Sequence, residues 1–281
     1  MTASEQIRSH RIGFIGAGNL AQSILRAFLD SGFVDREQIV ISNRNERKLE
    51  RVSRDFQIRA AKTNEEVIDF SDIVIIGVKP QDFYQCIEPI AHAFNSDQII
   101  ISLAAGISLQ SVQKLIPNSQ KILRVMPTTA AKIKESVIAY AATAAVKPHL
   151  QWINELLSTM GIVVPVEDGE MMRSILVGAS SGIGFVYELM IYWQEWLEEH
   201  DIDAKTARNV TIQTFRAAAA MAGHESETPL SELQRKVVSL KGVTAAGLDS
   251  MRELEIERAL RISFEKAAMR DQELGSTFVP V

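Results

Sequence analysis

Three small residues stand close together near the start of the chain. Residues 11–25 read RIGFIGAGNLAQSIL, where an apolar run leads into Gly16, Gly18 and Ala21 and then into a helix-like pattern. The first glycine permits a tight turn, the second lets the backbone approach a pyrophosphate, and the alanine lets helix and strand pack closely. Free N–H groups at the start of a helix also attract phosphate. The pattern predicts a dinucleotide site, although these glycines alone also fit an ordinary tight turn between a strand and a helix.

The end of the second apolar run bears on which dinucleotide would bind. Sites for NAD usually place an acidic residue there to hold the ribose hydroxyls. This chain instead reads VISNRNERK, with Ser42, Asn43 and Arg44 at that position. A guanidinium group pairs bidentately with phosphate and stays charged at neutral pH. We therefore expect NADP(H), with NAD possible, and the alternative is that Arg44 and Arg47 are solvated loop charges.

The elements that must position these residues alternate between strands and helices over the first part of the chain. Amphipathic helical patterns such as NERKLERVSRDF lie between most of the apolar runs, which predicts parallel βαβ units. A run such as IVIIGV is apolar on both faces, as a covered sheet requires. The predicted strands are RIGFI (11–15), QIVIS (38–42), IVIIGV (73–78), QIIIS (98–102), KILRVM (121–126), VIAYAA (137–142) and GIVVPV (161–166).

Two further loops follow predicted strands, at the edge where open α/β sheets bind ligands. GVKPQD (77–82) contains Pro80, which keeps Lys79 in extended geometry. SLAAGIS (102–108) has side chains small enough to let the chain pass close to a cofactor.

Helical patterns dominate after Val166. The fold class is therefore α/β followed by all-α, with domains at 1–166 and 167–281. TARNVTIQTFRAAAAMA (206–222) is rich in alanine, and the segment 247–274 places Glu253, Glu257 and Arg261 on one helical face. The wide apolar faces of this second part suggest packing against another chain.

Composition restricts the classes of function. The chain has 281 residues, a net charge of −5 and a single cysteine, Cys86. The charge favours neither nucleic acid nor an anionic membrane as a partner, and one cysteine cannot form an intrachain disulfide. The longest weakly polar stretch, VIAYAATAAV (137–146), is about half of what a bilayer requires. We expect a cytoplasmic protein.

Two other kinds of active site are disfavoured by the sequence. The five histidines lack metal-ligand spacing, so we expect no metal. Gly178-Ala-Ser180-Ser-Gly182 fits the hydrolase pattern G-x-S-x-G, with Asp201 and His224 following in hydrolase order. That motif needs a strand before the serine, whereas EMMRSILVGA is typical of a helix.

Four motifs follow one another in the order seen in a known family. These are IGFIGAGNLA, GVKPQD, SLAAGIS and LRVMPTT, and near the end LQRKVVSLKGVTAAGLDSMRELE completes the series. From Arg11 to Leu274, the chain resembles pyrroline-5-carboxylate reductase. The resemblance implies a Rossmann-type doubly wound sheet followed by an all-α dimerisation domain, and a homodimer with its substrate pocket at the dimer interface. It also implies reduction of 1-pyrroline-5-carboxylate to L-proline by NAD(P)H.

The resemblance also assigns residues. Those that would line the cofactor are Ile15, Gly16, Ala17, Gly18, Asn19, Leu20, Asn64, Gly77, Val78, Lys79, Pro80, Leu103, Ala104 and Ala105. Those that would contact the substrate are Glu227, Ser239, Gly242, Val243 and Thr244. The hydroxyl of Thr244 could donate a hydrogen bond to the imine nitrogen, which makes it the candidate catalytic residue. A helix N-cap is the alternative role for Thr244.

The substrate half departs from the family pattern. The family's S-P-G-G-T-T stands here as Ser239-Leu-Lys241-Gly242-Val243-Thr244, and a lysine at 241 is expected to disfavour positive φ. Lys241 could instead bring positive charge to a substrate carboxylate, so we include it among the substrate-binding candidates. The departures keep two other functions open: reduction of a different imine or keto acid, and a nucleotide-binding paralogue without turnover.

Overall fold

One mostly parallel sheet forms the first part of the chain. The computed structural model describes residue 7 and residues 9–277, apart from the side chains of residues 276 and 277. Within these residues, the strands lie side by side in the order β3-β2-β1-β4-β5-β6-β7-β8. They are β1 (Ile12–Ile15), β2 (Ile39–Ser42), β3 (Arg59–Ala60), β4 (Ile73–Ile76), β5 (Ile99–Ser102), β6 (Lys121–Met126), β7 (Ser136–Ala142) and β8 (Gly161–Pro165).

The strand predictions are confirmed with two differences. Every predicted run contains a strand, but the short, exposed β3 was missed because two residues give no periodic pattern. Strand β7 pairs antiparallel to β6, against the expectation of parallel units throughout. The connection between them, residues 127–135, is shorter than the roughly dozen residues that a parallel crossover needs.

Helices cover both faces of the sheet. Buried side chains form one apolar cluster that includes Phe14 and Phe28 and a second that includes Ile15 and Phe83. Phe14 and Ile15 are consecutive in β1, so successive side chains of a strand point into different layers. The helices of this part are α1 (Asn19–Ser31), α2 (Glu46–Phe56), α3 (Asn64–Phe70), α4 (Phe83–Ile87), α5 (Leu109–Leu115) and α6 (Leu150–Ser158).

The rest of the described chain is helical, as predicted. It comprises α7 (Glu170–Ile175), a π-helical turn (Leu176–Ser181), α8 (Gly182–Glu198), α9 (Ala204–His224), α10 (Leu230–Lys236), α11 (Val243–Glu253) and α12 (Ile256–Thr277). Contacts divide the chain into two compact units, residues 181–266 and the remainder. The predicted domain boundary at Val166 stays a prediction.

The prediction that one helical face carries Glu253, Glu257 and Arg261 is wrong. Helix α11 ends at Glu253, and Glu255, with a φ of 51°, breaks the chain direction before α12 begins. Glu253 therefore lies on a different helix from Glu257 and Arg261. Within α12, Arg261 Nε and Glu257 Oε1 do form the expected ion pair, at 2.8 Å.

The second unit exposes much apolar surface. On α8, Tyr187 and Trp196 are 62% and 58% exposed. The continuous helical stretch 170–198 is long and apolar enough to cross a membrane by length and composition alone, and 6% of its most apolar window is buried. The expectation that residues 137–146 form the longest apolar stretch is therefore wrong. Aromatic side chains on a helix amid charged neighbours also suit packing against protein.

An ion pair joins the starts of two central strands. Arg11 precedes β1 and Asp72 precedes β4, with 3.1 Å between Arg11 Nη2 and Asp72 Oδ1. Asp72 Oδ2 also accepts a hydrogen bond from the Arg11 backbone N–H at 2.7 Å. Burial alone would raise the pKa of Asp72, but the hydrogen bonds and positive charge of Arg11 hold it below its ordinary value.

We expect Asp72→Asn to destabilise the fold at neutral pH by roughly 0.5–1 kcal/mol, because the pair is partly exposed. A lowered folded pKa means that the carboxylate stabilises the fold above its ordinary titration range and loses this effect as the pH falls through the folded pKa. Urea unfolding of both proteins at neutral pH and at about pH 3 measures the difference. If the two proteins differ in free energy of unfolding by the same amount at both pH values, the ion pair does not stabilise the fold in this way.

Candidate active site

The carboxyl ends of four parallel strands meet at one edge of the sheet. Strands β2 and β3 lie on one side of β1 in the sheet. Strand β4 pairs with the other side of β1, and β5 to β8 continue outward from β4. The order of strands thus reverses between β1 and β4, which leaves a crevice at their carboxyl ends. The loops after β1, β2, β4 and β5 carry the residues predicted to line the cofactor, so the fold brings these loops to one edge.

The glycine turn after β1 has little room for side chains. Gly16 has a φ of 103°, and a Cβ atom there would lie 2.9 Å from the Gly77 carbonyl oxygen. Gly18 is the N-cap of α1, with ordinary φ, and a Cβ there would meet nothing closer than 3.8 Å. Because glycine offers no capping side chain, the N-terminus of α1 keeps backbone N–H groups for an anion.

The end of β2 is tied to the glycine turn and to α3. Asn43 Oδ1 accepts a hydrogen bond from the Ala17 backbone N–H at 3.1 Å. Ser42 Oγ donates to Asn64 Oδ1 at 2.7 Å, and the Asn64 amide donates to Cys86 Sγ at 3.4 Å. These bonds place Asn64, predicted only from the resemblance, beside the end of β2.

Arg44 is exposed and makes no hydrogen bond or ion pair with any residue that the structure describes. It stands directly after Asn43, at the position where NAD sites usually carry an acid. Burial raises the pKa of the nearby Cys86 thiol, although the amide of Asn64 opposes part of this effect. Arg44 therefore places an exposed positive charge at this end of the crevice, where the carboxylates of Asp82 and Glu65 also act electrostatically on the thiol.

The loops after β4 and β5 continue the backbone hydrogen bonding of the strands. The Gly77 N–H donates to the Ile15 carbonyl at 2.9 Å, and the Leu103 N–H donates to the Ile76 carbonyl at 3.0 Å. Lys79 is extended, with ψ of 149°, as the following Pro80 predicts. Val78, Ala104 and Ala105 complete the small, mostly apolar lining of these loops.

The predicted substrate residues lie in the second unit. Glu227 is exposed in the turn between α9 and α10, and an ion pair between Glu225 and Lys236 joins this turn to the end of α10. The loop of Ser239 and Lys241 follows α10 directly. The Gly242 N–H donates to the Ser239 carbonyl at 3.0 Å, and a Cβ at Gly242 would lie 2.0 Å from Ser239 Oγ. The close approach of Ser239 therefore favours glycine, which has no side chain, at position 242.

Two expectations about this loop are wrong. Lys241 adopts a φ of 58° despite its side chain, because the tight turn that returns Gly242 to Ser239 requires a left-handed residue. Thr244 is not an N-cap: Gly242 occupies that position, and Thr244 is the second residue of α11. Val243 and Thr244 are exposed, and the Thr244 hydroxyl has no hydrogen bond to a described residue.

The local structure contradicts the hydrolase pattern. Ser180 lies in the π-helical turn between α7 and α8, with no strand before it, and its hydroxyl donates to the Pro127 carbonyl at 3.4 Å. It is therefore not presented on the strand-to-helix turn that such a nucleophile needs. Among the described residues, no three His, Cys, Asp or Glu side chains come close enough to hold a metal ion.

Sequence reasoning missed two ion pairs near the loop after β5, each formed by one buried and one half-buried side chain. Arg124 Nη1 lies 2.8 Å from Asp168 Oδ1, and Arg173 Nε lies 3.5 Å from Asp271 Oδ2. An arginine inside the apolar run KILRVM was the available signal, since a buried arginine needs an acidic partner. No comparable pattern marks Arg173 and Asp271, which are distant in sequence.

The strand order and the glycine turn at its switch point define a class, the pyridine-nucleotide oxidoreductases with a Rossmann-type domain. Residues 11–106 match the family model described as NADP oxidoreductase coenzyme F420-dependent, and residues 170–274 match that described as pyrroline-5-carboxylate reductase dimerisation. The pyrroline-5-carboxylate reductase of Haemophilus influenzae is 30% identical over 268 residues, covering 95% of this chain and 98% of that protein. The chain therefore belongs to the pyrroline-5-carboxylate reductase family.

Other relatives agree over the same length. Pyrroline-5-carboxylate reductase 2 of Bacillus subtilis is 29% identical over 270 residues, covering 95% of this chain and 96% of that protein. The crystal structure of Plasmodium falciparum pyrroline carboxylate reductase with NADP bound has a TM-score of 0.86 at 19% identity, covering 95% of this chain and 99% of that one. A pyrroline-5-carboxylate reductase from Coxiella burnetii gives 0.84 at 24% identity, with the same coverage. Both structures show the shared fold.

The match to the dimerisation model also explains the apolar helices. It includes all of α8, whose exposed aromatic side chains suit a subunit interface. The dimerisation domain indicates that the chain oligomerises through its helical part, which would cover apolar surface in the stretch 170–198.

The two glycines of the first turn should differ in their effect on stability. Gly16→Ala is expected to destabilise the fold by roughly 1–3 kcal/mol, because the new methyl group meets backbone and the residue has positive φ. Gly18→Ala should cost less, about 0.5–1 kcal/mol, because its site has ordinary φ and open space and only the poorer N-cap preference of alanine acts against it. Thermal and urea unfolding measure both changes. Equal losses would mean that this turn is not the tight point that the structure indicates.

Proposed function

We propose that this protein reduces 1-pyrroline-5-carboxylate to L-proline with NADPH. The observation that carries the proposal is the family relationship over nearly the whole chain, which includes both the nucleotide edge and the loop of Ser239–Thr244. The relatives' names describe this reaction, and the chain retains a polar side chain, Thr244, at the start of a helix in that loop.

The residues at the sheet edge fit a dinucleotide phosphate. The tight turn at Gly16, the open position at Gly18 and the uncapped N-terminus of α1 provide a cradle that a side chain would fill. In the proposal, Ile15–Leu20, Asn64, Gly77–Pro80 and Leu103–Ala105 line the cofactor. When bound, NADPH supplies the hydride that adds to the imine carbon.

The preference for NADPH over NADH rests on the end of β2. Arg44 is a cation without a partner among the described residues, and Ser42 and Asn43 beside it are hydrogen-bonded into place. A guanidinium can hold the 2′-phosphate bidentately. The acid that would hold two free ribose hydroxyls is missing.

The chemistry required of the second unit is modest. A cyclic imine is already electrophilic, so the protein needs to hold the carboxylate, orient the ring and assist one proton. The backbone N–H groups of Val243 and Thr244 begin α11 without a side-chain cap, which suits a carboxylate. Lys241 adds positive charge to the same loop, Ser239 stands at its start, and Glu227 is assigned to the substrate only from the family resemblance. We assign the hydrogen bond to the imine nitrogen to the Thr244 hydroxyl.

We further propose a homodimer and a cytoplasmic location. The second unit exposes Phe264 as well as aromatic residues of α8 such as Trp193, and one such patch can pair with its own copy about a two-fold axis. A family of small-molecule reductases that uses cellular NADPH fits the cytoplasm, and a single free cysteine, Cys86, fits a reducing compartment.

Arg44→Ala tests the cofactor assignment. Loss of a charge-assisted pair should weaken NADPH binding by roughly 1.5–3 kcal/mol, or about one to two decades in Kd, and leave NADH binding nearly unchanged. Fluorescence titration with each nucleotide measures this. Arg47→Ala, which removes an exposed charge three residues away, is the matched control. Equal weakening of both nucleotides by Arg44→Ala would refute the assignment.

Thr244→Val tests the reaction. Valine keeps the shape of threonine and removes the hydroxyl, so kcat for NADPH oxidation with pyrroline-5-carboxylate should fall by about 10²-fold while NADPH binding survives. Thr244→Ser, which retains the hydroxyl, should keep most of the activity.

If turnover is unaltered in Thr244→Val, the assignment of this loop to the active site is wrong. If the unmodified protein binds NADPH but does not oxidise it in the presence of any imine tested, the protein is a nucleotide-binding paralogue without turnover. Oxidation with a different imine or keto acid would change the substrate and leave the cofactor assignment standing.

A further inference from the structure

Two glycines, distant in sequence, touch through their backbones behind the loop after β5. Gly106 directly follows Leu103–Ala105 and has a φ of 73°. A Cβ at Gly106 would lie 2.8 Å from the Gly275 backbone nitrogen, and a Cβ at Gly275 would lie 2.5 Å from the Gly106 carbonyl oxygen. Neither position has room for a side chain, so the end of α12 rests directly on this loop.

A buried carboxylate holds the same end of α12. Asp271 lies one helical turn before Gly275 and is 7% exposed, and its Oδ2 lies 3.5 Å from Arg173 Nε on α7. Its other oxygen, Oδ1, is buried without a hydrogen-bond partner among the described residues. A buried carboxylate with one long ion pair contributes little net stability. The ion pair does tie α12 to α7, because separating the two helices would leave a charged side chain without its partner.

A second ion pair, between the buried Arg124 and the half-buried Asp168, holds the far end of the loop. The Leu109 N–H, at the start of α5, donates to Asp168 Oδ2 at 2.7 Å, and Arg124 on β6 pairs with Asp168 Oδ1. Asp168 stands just before α7, the helix that carries Arg173. Covalent chain and contacts thus form a closed circuit from the loop through α7 and α12 back to Gly106.

We infer that this circuit positions the loop 103–105 against the cofactor, with Gly275 and Asp271 as positioning residues. The inference rests on the proposed function, in which Leu103–Ala105 line NADPH. Few bonds of the loop's own fix its shape: Leu103 donates to Ile76 at 3.0 Å, and the Ala104 N–H reaches Ser102 Oγ only at 3.4 Å. The contact at Gly106 and the anchor at Leu109 supply the remaining restraint.

Gly275→Ala is the direct test. The added methyl group would press on the Gly106 carbonyl and displace the loop, so Kd for NADPH should rise about tenfold. The KM for NADPH should rise with it, while the KM for pyrroline-5-carboxylate stays the same. The added methyl group strains this contact whatever its role. A purely structural role would therefore lower the stability of the variant and leave the NADPH affinity of its folded form unchanged. Gln272→Ala, exposed on the same turn of α12, is the matched control and should bind NADPH normally.

Asp271→Asn provides a second variant should Gly275→Ala fail to fold. It preserves the shape of the helix and removes the charge that Arg173 pairs, so Kd for NADPH should rise about threefold. Circular dichroism establishes that each variant is folded, and fluorescence titration without imine substrate gives each Kd.

The result separates this inference from the proposed function. If the unmodified protein binds NADPH and both folded variants bind it equally well, the circuit does not position the loop. If the unmodified protein binds NADPH but does not reduce pyrroline-5-carboxylate, the proposed reaction fails and the binding comparison still decides the inference. A protein that binds no NADPH overturns both.

Discussion

The close approach of two backbone turns at the middle of the sheet is the constraint on which the candidate site depends. Gly16 can adopt its positive φ and pass beside the Gly77 carbonyl because it carries no side chain. This contact keeps the loops after β1 and β4 together at the point where the strand order reverses. The helix N-terminus at Gly18 and the polar end of β2 then face one crevice, held by the hydrogen bond between Ala17 and Asn43.

The loop at residues 239–244 shows that backbone shape can persist where the residue type changes. A non-glycine residue in the left-handed region costs about 1–2 kcal/mol, and Lys241 nevertheless adopts it. The turn is fixed by its neighbours, since Gly242 must approach Ser239 and begin α11. A cation is thereby held at a strained position beside a helix N-terminus.

The parts of the structure that could be predicted are those that repeat. Apolar runs such as IVIIGV identify buried strands because covered parallel strands are apolar on both faces, and β4 is buried throughout. The glycine turn was predictable because small residues at this spacing, directly after an apolar run, are typical of a tight turn between a strand and a helix. The antiparallel β7 depended on the length of a connection, and the contact between Gly106 and Gly275 depended on residues far apart in sequence. Neither leaves a local pattern.

The two units solve the problem of burial in different ways. The sheet buries its apolar residues between two layers of helices, and it can therefore accommodate a few charges, such as Arg124 with Asp168, at positions where a loop must be fixed. The second unit leaves residues such as Tyr187 and Trp196 exposed, so it has too little core of its own. In the proposed dimer, a second copy supplies the missing burial, and the stability of these helices then depends on protein concentration. A helix with the composition of a membrane span is, on this argument, the expected result of an interface that buries nearly every face.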